Sequence, residues 1–105
     1  MTANAGLRKA LLESLTHLEP ADDVDESLRK LLMAKARSDL LKYEVMCRAF
    51  EKKYKMDFDA FRTSDFMKEP PSEVEQDYFD WELAVTRMGE VKSQLAKLAA
   101  INESL

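Results

Sequence analysis

Residues 28–54, LRKLLMAKARSDLLKYEVMCRAFEKKY, contain neither glycine nor proline, and their apolar side chains recur at helical spacing. Leu28, Leu32, Ala36, Leu40, Tyr43, Cys47, Phe50 and Tyr54 follow one another in steps of three or four, a stripe that drifts only slowly around a helix of 3.6 residues per turn. The other faces are charged. Asp25/Arg29, Glu26/Lys30, Glu44/Arg48 and Glu51/Lys55 stand four residues apart with the acid first, the order that supports a helix best. At 1.5 Å per residue such a helix is roughly 40 Å long. It cannot bury its own stripe, so it needs a partner of similar length.

The partner lies at the other end of the chain. Val74, Tyr78, Trp81, Val85, Met88, Val91, Leu95, Leu98 and Ile101 again recur in threes and fours, predicting a second long helix over residues 72–103. Phe79, Leu83 and Ala84 widen its apolar band. Ser72 with Glu75 three residues on reads as a capping box, and Gly89 in mid-helix costs about 1 kcal/mol relative to Ala and suggests a close crossing of another backbone. Before the first long helix, Leu7, Leu11, Leu12, Leu15 and Leu18 predict a short helix over 7–18, ended by Pro20. Asp22, Asp23 or Asp25 can cap the long helix that follows over 24–55. Between the long helices, Met56, Asp57, Phe58 and Phe61 predict a helical restart over 57–65. Phe58, Phe61 and Phe66 are expected to tuck under the end of the long helix, each worth about 2 kcal/mol if fully buried.

No period-two run and no Asn-Gly or Asp-Gly hairpin signal competes with this reading. The expected fold is therefore all-α, one helical domain over residues 1–105 with residues 1–5 disordered. The two long helices form an antiparallel hairpin with a short N-terminal helix covering one end and a short corner helix. Two helices leave a thin core. Leu31, Leu41, Val45, Phe79 and Leu83 are expected to stay partly exposed in a monomer, and an apolar patch of several hundred Å² marks a partner surface. The expectation is a homodimer with a four-helix arrangement, or a hetero-complex covering the same band.

The net charge of −4, from 16 basic and 20 acidic residues, lacks the broad basic field of non-specific nucleic-acid binding. Arg29, Lys30, Lys35 and Arg37 form a local basic run, but their spacing scatters them around the helix, and no helix-turn-helix pair is visible. The lone Cys47 rules out an internal disulfide or a cysteine-based zinc site and reads as a small buried hydrophobe. There is no apolar run long enough to span a membrane and no signal-peptide pattern at the N-terminus, so the chain is expected to be cytoplasmic.

Candidate chemistry is sparse, and no catalytic residue, cofactor or metal site is assigned. His17 has no partner for acid–base work and sits where a cation meets the negative end of a helix dipole. The two glycines, Gly6 and Gly89, make no phosphate loop. Glu73, Asp77 and Asp80 share one helix face, a row of the kind that helical Mg²⁺-dependent nucleotide hydrolases use. Such sites need a second acidic row facing the first. The only other cluster, Asp22–Glu26, lies at a helix entry. The row is better read as a solvated face or as a docking surface for a basic protein.

One resemblance bears on function. Lys42–Phe61, KYEVMCRAFEKKYKMDFDAF, followed by EVEQDYFDWE over Glu73–Glu82, resembles small helical prokaryotic antitoxins of toxin–antitoxin pairs. Phe50, Lys52, Lys53, Tyr54, Met56, Phe58 and Phe61, then Glu73, Asp77, Tyr78, Trp81 and Glu82, match the pattern over about a third of the chain. It departs at Lys55, where such proteins often carry Gly after the Tyr. The resemblance implies a non-catalytic module that binds and neutralises a cognate toxin. Leu31, Leu41, Val45, Phe79 and Leu83 would then serve as interaction residues, with Glu73, Asp77 and Asp80 steering a basic partner. A DNA-binding regulator and a self-associating structural helical protein are the alternatives.

Overall fold

The computed structural model describes residues 4–104, and the side chains of residues 4–101. Every regular element in it is helical: α1 (Ala5–Leu18), α2 (Val24–Tyr54), α3 (Phe58–Arg62), a 3₁₀ turn (Asp65–Met67) and α4 (Ser72–Ser104). The chain's contacts fall into two compact units, Met1–Lys35 and Ala36–Leu105, and α2 runs through the boundary.

In the first unit, α1 begins earlier than its leucines suggest because Asn4 caps it, its Oδ1 accepting the Leu7 N–H at 3.0 Å. Asn4 and Ala5 are thus ordered parts of a helix start, while residues 1–3, also expected to be disordered, lie outside the described residues. The helix stops where Pro20 demands, with the Glu19 N–H bonded to the Leu15 carbonyl at 2.8 Å. No residue of α1 is buried. Of the three candidate caps for α2, Asp23 is used: its carboxylate accepts the Glu26 N–H at 2.7 Å, and its carbonyl accepts from Ser27 at 3.1 Å. Arg29 pairs with Glu26, three residues away, instead of Asp25, donating from Nε at 2.9 Å and from a terminal nitrogen at 2.6 Å. This two-pronged geometry holds a guanidinium better than a single contact. Leu28 and Leu32, the first members of the apolar stripe, are exposed.

In the second unit, α2 ends at Tyr54 because Lys55 adopts a left-handed backbone, φ 58°. That is the conformation glycine favours at a helix end, and here a lysine adopts it at the bend. The turn also removes Lys55 from Glu51's helix face, so the expected pair between them does not form. Asp57 then caps α3, accepting the Ala60 N–H at 2.8 Å. The helix runs only to Arg62. Ser64 folds back onto Phe61, its N–H donating at 3.1 Å and its hydroxyl at 2.7 Å to the Phe61 carbonyl, and the chain tightens into the 3₁₀ turn. Pro70 and Pro71 follow, and α4 starts at Ser72. The expected capping box is not what starts it: the Glu75 N–H bonds to the Pro71 carbonyl at 3.0 Å, placing Pro71 in the cap position and Ser72 inside the first turn. Gly89 is also corrected. A Cβ added there would meet nothing within 4 Å, so no backbone crosses it.

The two long helices are in contact through their bulky side chains. Cys47, Tyr54, Phe61, Trp81 and Ala84 form the buried centre, and Tyr43, Met46, Phe50, Met56, Phe58, Met67, Val74, Tyr78, Val85 and Met88 pack around it. Trp81 stacks on Phe50 at 5.5 Å and on Tyr54 at 6.1 Å, and meets Phe61 at 5.1 Å and Phe58 edge-on at 5.4 Å. Offset and edge-on rings of this kind add to what their buried area supplies. Phe61 is fully enclosed, Phe58 half-buried, and Phe66 largely exposed, so only one of the three corner phenylalanines is fully covered.

Candidate functional site

The polar centre of the second unit joins the last turn of α2 to the first turns of α4. Asp77 accepts the Tyr54 hydroxyl at 2.5 Å and the Lys53 ammonium at 2.6 Å, and Lys53 also donates to Glu73 at 3.0 Å. Burial by itself pushes the Asp77 carboxyl up, but the hydrogen bonds from Lys53 and Tyr54 outweigh it and hold the group below the usual carboxylate range. The bonds to Asp77 and then Glu73 raise the Lys53 ammonium. Burial first, and then the bond to the carboxylate, raise the Tyr54 phenol. Lys53 lies 5.4 Å from the Tyr54 ring centre as well.

This network absorbs most of the acidic row read from the sequence. Asp77 faces inward and ties the helices together, and Asp80 accepts from the Gln76 amide at 2.9 Å. Glu73 shares Lys53 but stays largely in solvent. Among the described residues, no three His, Cys, Asp or Glu side chains stand close enough to hold a metal ion. Lys53 and Tyr54 are the partners that spacing along α4 does not reveal, since both sit on the other helix. The signal in the sequence is that Tyr54 closes the apolar stripe of α2 and so faces the core, with Lys53 beside it.

The apolar candidates lie elsewhere. Leu41 is 59% exposed, Val45 55%, Phe79 53% and Leu83 51%. Val45 precedes the buried Cys47 by two residues, and Phe79 and Leu83 flank the buried Trp81 by two on either side, each about 200° around its helix from the core. Leu41 joins Val45 one turn earlier. Leu41 and Val45 therefore share the outward face of α2, and Phe79 and Leu83 share the outward face of α4. Leu31, 48% exposed, belongs to the first unit.

No protein-family model, no curated protein and no solved structure matches this chain. Two surface hollows are open and shallow, one lined by Leu12, Glu13, Thr16, His17 and Pro20, the other by Met56, Thr63, Ser64, Asp65 and Phe66. In the first, the Thr16 hydroxyl donates to the Leu12 carbonyl at 3.0 Å and is not held by His17. Of the basic run, Arg29 is engaged by Glu26, and Lys35 also has a partner. Cys47 is buried, and that burial pushes its thiol up, the opposite of a reactive thiolate. No helix of the described residues is long and apolar enough to cross a membrane.

Proposed function

We propose that this chain is a non-catalytic protein-binding module, with its two long helices forming an antiparallel hairpin that offers outward apolar faces to another protein. The observation that carries this reading is the half-exposure of Leu41, Val45, Phe79 and Leu83 on helices whose opposite sides are already committed to the aromatic core. Paired aliphatic and aromatic side chains ringed by charge have the composition of an interaction patch. In its sharper form the module is an antitoxin-like protein of the cytoplasm that neutralises a cognate toxin. The antitoxin pattern supports that form, and its aromatic positions are the ones that build the corner.

The test is co-purification and rescue. The gene beside this one is expected to encode a small toxin whose growth arrest is relieved by co-expression, with the two proteins purifying together. Leu41→Glu or Leu83→Glu should weaken the association far more than the helicity, because a charge in a covered seam is costly while helix propensity changes little. An unrelated neighbour and no recovered partner would end the antitoxin form. A salt-sensitive shift of its own promoter, lost on changing Lys30 or Arg37 to Ala, would favour a DNA-binding regulator instead.

A further inference from the structure

The two outward faces differ in charge, and the difference selects a partner. Around Leu41 and Val45 the outward half of α2 carries Lys42, Arg48 and Lys52, all exposed. Of the acids of this stretch, Asp39 and Glu44 are half-buried and Glu51 is exposed; at eight, three and four residues from the buried Cys47, all three fall nearer Cys47 than Val45 around the helix. Around Phe79 and Leu83 the outward half of α4 carries Glu75, Glu82 and Glu90, all exposed. Arg87, one turn beyond Leu83, is already tied to Glu90 at 3.0 Å, and the other outward cation, the exposed Lys97, stands 14 residues beyond Leu83. One face is therefore aliphatic and basic, the other apolar and acidic, and each centres on two apolar residues one helical turn apart.

We infer that the partner is a second copy of this chain, docked so that the α2 face of one copy covers the α4 face of the next. The inference rests on the protein-binding reading above and names the occupant. A two-fold dimer through α2 would set Lys42, Arg48 and Lys52 against their own copies, and one through α4 would oppose Glu75 and Glu82 to themselves. Like charges across a seam oppose association, whereas basic against acidic favours it. The charge pattern therefore requires a heterologous contact. Because each face lies about 200° around its own helix from the shared core, one such contact leaves one face of each kind uncovered, so the assembly extends head to tail. A nucleic-acid backbone is a poorer occupant of the α2 face, since Leu41 and Val45 at its centre offer nothing to a phosphate.

Sedimentation velocity on wild type, Val45→Glu, Leu83→Lys and an equal mixture of the two variants tests the arrangement, with circular dichroism to verify helicity. Both positions are half-exposed, so the variants should fold. Val45→Glu puts an acid opposite the acidic face, and Leu83→Lys puts a cation opposite the basic one. The wild type should grow past dimer as its concentration rises and shrink as salt is added. Each variant alone should be monomeric. The mixture should give a two-chain species, because one variant keeps an intact α4 face and the other an intact α2 face. The inference is overturned if the wild type is monomeric at all concentrations, or if Leu83→Lys stays dimeric while Val45→Glu does not, which is the two-fold pattern. It is equally overturned if the α2 face binds duplex DNA while the chain stays monomeric. A monomeric wild type would leave the protein-binding reading to the co-purification test, so the two can fail separately.

Discussion

Removing one oxygen tests the clamp between the long helices. Tyr54→Phe deletes the hydroxyl that donates to Asp77 at 2.5 Å and leaves the ring, buried among Phe61, Phe66 and Trp81, in place. A hydrogen bond to a charged acceptor contributes about 1.5 to 3 kcal/mol. Asp77 keeps its bond to Lys53 after the change, so the lower end applies, about 1.5 kcal/mol. For a chain of this size each kcal/mol moves Tm by about 4 to 8 °C, giving a drop of about 6 to 12 °C. Trp81, the only tryptophan, is fully buried beside Tyr54, so its fluorescence and the helical dichroism should melt together. The pH dependence follows from the direction of each shift. Asp77 is lowered from 3.8, so its contribution is fully present above that value and is lost as pH falls through the lower folded value. Tyr54 is raised from 10.0, so its contribution is present below 10.0 and is lost as pH rises through the higher folded value. The gap between wild type and Tyr54→Phe should therefore be flat between those limits and shrink outside them. A gap below about 0.5 kcal/mol at neutral pH, the scale of an ordinary surface change, would mean that the hydroxyl does not tie the two helices together. So would a gap that persists unchanged once Asp77 is protonated.

Three further substitutions follow from the backbone and the core. Gly89→Ala meets open space and should stabilise α4 by about 1 kcal/mol, read as a higher Tm; destabilisation would mean that something does pack there. Lys55→Gly relieves a left-handed lysine and should raise Tm, by up to about 1 kcal/mol of stability, whereas Lys55→Val should lower it. Phe61→Ala empties a fully enclosed site and should cost about 3 to 5 kcal/mol, enough to lose the cooperative fluorescence transition altogether.

The helices were legible in the sequence because their periodicity is local. Cys47, Tyr54 and Trp81 were marked as inward by spacing alone, and all three are buried. What spacing could not supply was the partner across the gap. Asp77 reads along α4 as one member of an acidic row, yet Tyr54 and Lys53, on another helix, turn it into a clamp. The corner was half legible: the helical restart at Asp57 was readable, but the 3₁₀ turn after Arg62 depends on Ser64 bonding back to Phe61, a local competition that no periodicity records. Ser72 and Glu75 fit a capping pattern whose residues are present but unused, because Pro71 supplies the first carbonyl. The exposed candidates were individually foreseen, since Leu41, Val45, Phe79 and Leu83 all lie off the main stripes. Their separation onto two outward faces emerges only once Cys47 and Trp81 are known to face the same core.

The proposed interaction surface, Leu41, Val45, Phe79 and Leu83, can be probed directly. Covalent side-chain footprinting compares the dilute protein with the protein in its co-purified complex, or concentrated enough to associate. Labelling of Leu41, Val45, Phe79 and Leu83 should fall on association while the buried Trp81 and Phe61 stay unlabelled in both states. Equal labelling of the four in the free and associated protein would contradict it.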